Sequence, residues 1–120
     1  SYPYLRFSDH ESPRISYYRG SKVGKDRYLG PFPSAGSVMA TLSTLQKLFH
    51  LRPCRDSYFA HRTRPCLQHQ IRRCSAPCVG LISPEDYARD VRNGMRMLEG
   101  KSDELVRELG AEMMRAGIGP

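Results

Sequence analysis

The residues best suited to chemistry in this sequence are its four cysteines, Cys54, Cys66, Cys74 and Cys78, in the pattern C-x11-C-x7-C-x3-C. Four thiolates complete a tetrahedral zinc site or the corners of an iron–sulfur cubane. Structural zinc usually recruits two close C-x2–4-C pairs, and Cys74 with Cys78 is the one such pair here. Iron–sulfur clusters accept wider spacing. Free thiols that pack as small hydrophobic groups, and two disulfides, remain open alternatives.

Six arginines share this segment with the cysteines: Arg52, Arg55, Arg62, Arg64, Arg72 and Arg73. Together with Asp56 they give residues 52–73 a net charge of +5. Guanidinium groups pair with phosphates and stack on bases, so the set predicts contact with DNA. The alternative is a solvated basic loop in which one or two arginines neutralise a cluster. His61 and His69 are substitute ligands, exposed side chains or aids to anion binding.

The positive charge is concentrated in the first two-thirds of the chain. The 120 residues sum to +7, whereas residues 1–80 carry 13 Lys and Arg against 4 Asp and Glu, which is +9. Residues 81–120 therefore carry −2. The imbalance allows a polyanionic partner. The sequence has neither a membrane-spanning apolar run nor a secretory signal, and its thiols indicate a reducing compartment, so we expect a cytoplasmic location without membrane contact.

Recognisable catalytic motifs are missing from the sequence, which has no H-x-E, H-E-x-x-H or G-x-S-x-G pattern. The basic part contains few acids, namely Asp9, Glu11, Asp26 and Asp56. A metal-dependent active site built on two carboxylates has little to draw on. We therefore expect that this chain catalyses nothing alone.

The positioning elements begin with a small sheet. Residues 2–7, 14–19 and 27–29 are short, rich in β-formers and separated by turn-prone sequence, which predicts two or three antiparallel strands. Pro3 places the first strand at an edge of the sheet or limits its start, because proline cannot donate to a ladder. A sheet of this size needs a helix or another domain to cover it.

A helix should follow the sheet. Val38, Leu42, Leu45 and Phe49 repeat at helical spacing and form one apolar face. Ser34 or Ser37 can cap the start of this helix, and we expect Pro53 to end it.

Two more helices are predicted after the cysteines. The first covers residues 84–98, capped by Ser83 and followed by Gly100. The second covers residues 102–115, with Leu105, Leu109 and Met113 on one face, and the final AGIGP is loop-like. The predicted fold class is thus α+β: a small antiparallel sheet, then about three helices, with a cysteine-rich loop ordered by a metal or cluster between the first and second helix.

Several stretches carry a family resemblance: YPYLRF, RYLGPFPSAGSV, LQKLFHLRPCRDS, RTRPCLQHQIRRCSAPCVGLIS and LEGKSDEL. They resemble UvrC, the endonuclease subunit of the bacterial excinuclease that incises DNA on both sides of a lesion in nucleotide excision repair, with an SOS-response association. The resemblance covers residues 1 to about 115, and its longest block is highly specific.

The resemblance implies an internal part of that protein. Residues 1–33 would follow the GIY-YIG nuclease domain, residues 34–80 would form the cysteine-rich region, and residues 81–120 would lead toward the UvrB-binding segment. The family's catalytic residues would lie outside this chain. The family pattern suggests Cys54, Cys66, Cys74 and Cys78 as ligands of an iron–sulfur cluster, of the 4Fe–4S type, with zinc as the alternative. After GKSDELVRELGAEMMRA the family continues into a helical hairpin, whereas this chain continues with AGIGP.

Two roles from different classes follow. In the first, the chain is a cluster-bearing connector whose arginines meet damaged duplex DNA. In the second, it is an interaction or spacer module whose C-terminal helices dock UvrB or a neighbouring domain of UvrC. A redox sensor that tunes DNA affinity is a third reading, which rests on thiol chemistry near arginines.

Overall fold

The structure is a computed structural model that describes residues 1–117, with the side chains of residues 105, 106 and 109 left out. The predicted apolar face formed by Leu105 and Leu109, and the loop-like residues 118–120, therefore lie outside the described residues. No helix among the described residues combines the length and the apolar character needed to cross a membrane.

Three antiparallel strands form the predicted sheet: β1 Pro3–Phe7, β2 Ile15–Arg19 and β3 Arg27–Leu29, in the order β2-β1-β3. The expectation that Pro3 marks an edge strand is wrong, because β1 lies in the centre. The alternative that proline limits the start of the strand is confirmed: Pro3 is the first residue of β1, and β3 pairs with β1 only from Leu5 to Phe7. Pro3 lies outside the pairing with β3, so its missing N–H costs no hydrogen bond in that ladder.

Helix α1, Ala35–Phe49, begins at the predicted cap. The Ser34 side chain accepts from the Ser37 backbone N–H at 3.1 Å, and the Ser37 hydroxyl accepts from the Ser34 N–H, which satisfies two of the free donors of the first turn. The helix ends before Pro53, because His50 turns into the left-handed region at φ 56° and closes the last turn.

The cysteine-rich segment contains three short elements. They are α2 Asp56–Ala60, α3 Leu67–Gln70 and a 3-10 turn at Pro77–Val79. None is long enough to present a repeating apolar face, which explains why neither helical nor strand periodicity shows in this part of the sequence.

One long helix, α4 Pro84–Arg115, replaces the two predicted C-terminal helices. It begins as expected, with the Ser83 hydroxyl accepting from the Asp86 N–H at 3.1 Å. The predicted break at Gly100 is wrong. A glycine inside a helix costs about 1 kcal/mol relative to alanine, which is too little to interrupt a hydrogen-bonded ladder. Nothing within 4 Å of an added Gly100 Cβ forces a bend there.

The hydrophobic core lies between one face of the sheet, α1 and the first half of α4, which gives the expected α+β fold. Its buried members are Leu5, Phe7, Ile15, Val38, Leu42, Leu45, Leu51, Tyr87 and Val91. They come from residues 1–33, 34–80 and 81–120 alike, so these three segments share one core. Helices α1 and α4 pass close at Gly94, where an added Cβ would meet Leu45 Cδ2 at 3.2 Å.

Candidate metal centre and its arginine surround

All four cysteines line one small cavity, and each reaches it from a different local element. Cys54 lies in the turn before α2, Cys66 caps the start of α3, Cys74 follows α3, and Cys78 lies in the 3-10 turn. Cys74 is buried and the others are half-buried, and all four are free thiols. The fold thus brings together every cysteine that the sequence singles out.

Arg52 fixes the turn that carries Cys54. Its Nη1 donates to the Cys54 carbonyl oxygen at 2.7 Å, and its Nε donates to the Ser12 carbonyl oxygen at 2.7 Å. Its Nη2 pairs with Asp56 Oδ1 at 2.8 Å, and its guanidinium lies 4.3 Å from the centre of the Phe59 ring. One buried side chain therefore joins the β1–β2 loop, the Cys54 turn and the start of α2.

A second set of contacts shapes the turn from α3 to Cys74. The Gln68 carbonyl oxygen accepts from the N–H groups of Arg73, at 2.8 Å, and Cys74, at 3.2 Å. The His69 Nδ1 lies 2.9 Å from the Cys74 carbonyl oxygen. A carbonyl oxygen only accepts, so Nδ1 is the donor. These bonds reverse the chain within a few residues and aim Cys74 back at the cavity beside Cys66.

Two residues with a positive φ flank Cys74, namely Arg72 at 61° and Ala76 at 56°. Residues with a Cβ adopt this region rarely, and doing so costs about 1–2 kcal/mol. Hydrogen bonds hold the conformation: His50 Nδ1 donates to the Arg72 carbonyl oxygen at 2.8 Å, and the Ser75 N–H donates to the His50 carbonyl oxygen at 3.0 Å. The strain lies where the chain must turn twice to present Cys74 and Cys78 to one cavity.

Burial decides the protonation of the buried thiol. It raises the pKa of Cys74 to about 11, and the nearby thiols of Cys54, Cys66 and Cys78 act in the same direction, against a hydrogen bond from the Ala76 N–H. Burial also raises the pKa of Cys78, and the nearby thiols of Cys54 and Cys66 add to this. A site that gathers four thiols strongly disfavours negative charge unless a cation compensates it.

The six arginines do not occupy equivalent positions. Arg52 is 1% exposed, so it is not part of the exposed set predicted to contact DNA, and its role is structural. Its burial follows from its contacts with two backbone carbonyls and Asp56. The rest of the set is at least partly exposed, namely Arg55, Arg62, Arg64, Arg72 and Arg73.

These five arginines lack carboxylate partners in the part of the chain that the structure describes. The ion pairs there join Arg6 to Asp26, Arg52 to Asp56 and Arg89 to Asp86. Because Asp56 is taken by the buried Arg52, the +5 charge of residues 52–73 resides on the exposed arginines. We call Arg55, Arg62, Arg64, Arg72 and Arg73 the arginine surround.

Arg62 connects the arginine surround to the cavity. It lines the cavity, its Nη1 donates to the Tyr58 hydroxyl at 3.2 Å, and its guanidinium lies 5.1 Å from the centre of the Tyr58 ring. Its positive charge opposes the rise in the pKa of Cys78. His69 also lines the cavity, whereas His61 is exposed with its Nδ1 on the Ser57 carbonyl oxygen.

Sequence reasoning missed the residues that support the site. Tyr87 is fully buried in α4, accepts from the Arg52 N–H at 2.8 Å and donates to the Pro13 carbonyl oxygen at 2.7 Å. Gln68 provides the carbonyl on which the α3 turn closes. A polar hydroxyl in the apolar repeat of α4 is the one signal that singles out Tyr87, and no sequence signal singles out Gln68.

The structure is thus a small α+β domain in which four thiols line one cavity and exposed arginines lie in the same segment. Residues 2–97 match the family described as UvrC/Cho excinuclease, middle domain. The chain is 57% identical over 118 residues to the UvrABC system protein C of Pseudomonas entomophila strain L48, and 56% identical over 118 residues to that of Pseudomonas syringae pv. syringae. The chain belongs to the UvrC family.

Each alignment covers 98% of this chain and 19% of the relative. The chain therefore spans about a fifth of the length of the curated relatives it matches. No solved structure matches the chain.

Proposed function

We propose that this chain is the cysteine-rich connector of a UvrC excinuclease subunit, which holds a 4Fe–4S cluster on its four cysteines and contacts DNA through the arginine surround. The observation that carries the proposal is that all four thiols line one cavity, in a segment whose exposed arginines have no carboxylate partner among the described residues. The incision of DNA on both sides of a lesion belongs to the whole protein, and we assign the connector a positioning role.

The donor set supports a cluster over a single zinc ion. Four cysteine thiolates are the usual ligands of a 4Fe–4S cluster. Structural zinc usually recruits two close C-x2–4-C pairs, whereas this chain has one, Cys74 with Cys78. When bound, such a cluster supplies iron cations that stabilise the thiolates, and electron transfer where its potential allows.

The arginine surround supports contact with DNA phosphates. Arg55, Arg64 and Arg72 are exposed, and no carboxylate among the described residues neutralises them. Lys and Arg side chains that neutralise phosphates release counterions, so they add affinity whatever the base sequence. A rigid connector that grips the backbone would hold damaged duplex DNA in register for nuclease domains elsewhere in the protein. A reducing, cytoplasmic location follows for a site built on four free thiols.

The metal is tested by elemental analysis and an ultraviolet–visible spectrum of the chain purified without oxygen. Iron near four atoms per chain with broad charge-transfer absorption is expected. Replacing Cys74 by serine should remove that iron, whereas replacing the exposed His61 by glutamine should retain it. One zinc per chain, or no metal at all, would refute the cluster.

DNA contact is tested with the double variant Arg72→Ala/Arg73→Ala. We expect weaker binding to duplex DNA of any sequence, with the slope of log K against log salt reduced by about 2. The matched control is Arg92→Ala/Arg96→Ala, which removes two exposed arginines of α4 far along the chain. Equal salt slopes for the two double variants would overturn the proposed interface.

The second candidate function is docking of UvrB or a neighbouring UvrC domain by the outer half of α4. Residues 84–98 of this helix pack against the core, whereas Met113 and Met114 near its end are 45% and 64% exposed. A helix of 32 residues is about 48 Å long, more than the rest of the domain can cover. Capture of UvrB by residues 1–120 that is lost with residues 1–100 would support this role, and equal capture by both would remove it.

A further inference from the structure

The outer face of the sheet is lined with tyrosines, although the inner face is apolar. Along β1 the buried residues Leu5 and Phe7 alternate with the half-buried Tyr4 and Arg6. Tyr4 lies opposite Tyr18 of β2. Arg6 lies opposite Tyr28 of β3. Because cross-strand partners share a face, one surface carries Tyr4, Arg6, Tyr18 and Tyr28, on the side away from the core. We call these four residues the tyrosine face.

The rings of the tyrosine face contact one another and are overlaid by cations. The ring centres of Tyr18 and Tyr28 are 5.0 Å apart at an interplanar angle of 54°. The Arg6 guanidinium lies 5.3 Å from the centre of the Tyr18 ring, and Lys22 Nζ lies 4.7 Å from that of Tyr4. All three rings are half-buried, so each keeps an accessible surface.

We propose that the tyrosine face binds single-stranded DNA by stacking unpaired bases on its rings. Aromatic side chains on the open face of an antiparallel sheet, with cations beside them, are the arrangement by which proteins hold unpaired bases and their phosphates. Arg19, Lys25 and Arg27 add exposed positive charge at the ends of the strands. Among the described residues, Asp26 is the acid that forms an ion pair at this face, and its partner is Arg6.

The charge at this face favours a nucleic acid over a protein as its binding partner. A protein helix or sheet would seek an apolar surface, but here cations lie over the rings and Arg19, Lys25 and Arg27 add exposed positive charge. A polyanion with flat apolar bases complements both features. The inference rests on the proposed function in taking DNA as the nucleic acid. The inference concerns the tyrosine face and single-stranded DNA, whereas the proposed function concerns the arginine surround and duplex DNA.

The experiment compares binding of the 120-residue chain to an oligothymidylate of about 12 nucleotides and to an abasic oligonucleotide of the same length and charge. The chain has seven tyrosines and no tryptophan, so its own tyrosine emission reports stacking. We expect the oligothymidylate to bind at least about tenfold more tightly and to quench that emission. Equal affinity for the two oligonucleotides would overturn the proposal.

The variants separate stacking from charge. Tyr18→Leu/Tyr28→Leu removes two rings and keeps apolar bulk, whereas Tyr18→Phe/Tyr28→Phe keeps both rings. We expect the leucine pair to lose at least about tenfold in affinity for oligothymidylate and the phenylalanine pair to stay within about twofold. If circular dichroism shows that the double leucine variant does not fold, the single variant Tyr28→Leu replaces it. We expect that variant to lose about fivefold in affinity for oligothymidylate. Matching affinities of the leucine and phenylalanine variants would overturn the proposal.

Failure here and failure of the proposed function are distinguishable. Arg72→Ala/Arg73→Ala should change the salt slope for duplex DNA and leave the preference for bases over abasic sites intact. The leucine variants of Tyr18 and Tyr28 should lose the preference for bases and leave the salt slope for duplex DNA unchanged. A loss of base preference in the arginine variant would contradict a separate stacking site.

Discussion

The guanidinium of Arg52 donates a 2.7 Å hydrogen bond to the carbonyl oxygen of Cys54, two residues further along the chain. This bond links the hydrophobic core to the cysteine cavity, because the Arg52 N–H donates to the hydroxyl of the core residue Tyr87. The position of the first cysteine thus depends on packing between α4 and the β1–β2 loop. The cysteine-rich segment has no hydrophobic core of its own, so its conformation depends on contacts with the neighbouring core.

Replacing Arg52 by alanine should destabilise the fold and weaken metal binding at the proposed cluster site. The change leaves the carbonyl oxygens of Ser12 and Cys54 without their donor, and each buried unpaired acceptor costs about 1–3 kcal/mol. The pair with Asp56 adds little, because Asp56 is 59% exposed. We expect the free energy of unfolding in urea to fall by about 2–4 kcal/mol, with lower iron content.

The control for this change is Arg55→Ala, which removes an exposed arginine three residues away. Its free energy of unfolding should stay within about 0.5 kcal/mol of the unmodified chain. Similar losses of stability in both variants would show that Arg52 does not anchor the Cys54 turn.

Replacing Arg72 by glycine should stabilise the domain relative to Arg72→Ala. Arg72 is exposed at φ 61°, a conformation that glycine adopts without a steric penalty and alanine does not. Its charge is lost in both variants, so DNA affinity should fall equally while stability differs by about 1 kcal/mol. Thermal melting and a duplex-binding assay on the two proteins check this. Equal melting temperatures would argue against the left-handed turn beside Cys74.

Sequence patterns predicted an element well where regularly spaced apolar residues mark its buried face. The alternation of β1 and the repeat of Val38, Leu42 and Leu45 in α1 mark the sides that become the core. The end of α1 at His50 was missed because no strong stop signal stands there, and the continuity of α4 was missed because Gly100 indicates a helix end in the sequence pattern. Both depend on cooperative hydrogen bonding and not on a single residue type.

The four cysteines and the residues that support them differ in how far the sequence reveals them. The four cysteines are visible from residue type and spacing, and the structure brings them to one cavity. Arg52 cannot be told from its five neighbours, because its burial depends on the Ser12 carbonyl 40 residues earlier and on Tyr87, 35 residues later. Long-range contacts of this kind leave no local periodicity, so the sequence counts Arg52 with the surface arginines.

Asp26 should make the sheet more stable at neutral pH than in acid. It accepts hydrogen bonds from the Asp9 N–H at 2.7 Å and from Arg6 Nε at 2.6 Å, and these hold the pKa of Asp26 below its usual value. A lowered pKa in the folded state stabilises above the unfolded pKa of about 4, and the contribution disappears as pH falls through the folded value. Asp26→Asn should therefore cost up to about 1 kcal/mol near neutral pH and progressively less below about pH 4.

Urea unfolding across that pH range, with the exposed Glu11→Gln as the control, checks the prediction for Asp26. The control should show no comparable difference from the unmodified chain. A cost of Asp26→Asn that stays constant from neutral to acid pH would mean that the charge of Asp26 does not contribute.

Gly94 and Gly100 lie in one helix and should respond oppositely to alanine. An added Cβ at Gly100 meets nothing within 4 Å, so Gly100→Ala should gain about 0.5–1 kcal/mol of stability from helix propensity alone. At Gly94 the Cβ would lie 3.2 Å from Leu45 Cδ2 and 3.5 Å from Phe49 Cδ2. Overpacking of that kind costs about 1–3 kcal/mol, which offsets or exceeds the propensity gain.

Helical circular dichroism and thermal melting of the two alanine variants would decide whether α4 is continuous. In one uninterrupted helix, Gly100→Ala raises both the helical signal and the melting temperature, because glycine loses more backbone entropy on folding than any other residue. If Gly100 instead ended a helix in a left-handed conformation, alanine there would be strained and the melting temperature would fall. The sign of this one shift therefore separates a single helix from the two that the sequence suggests.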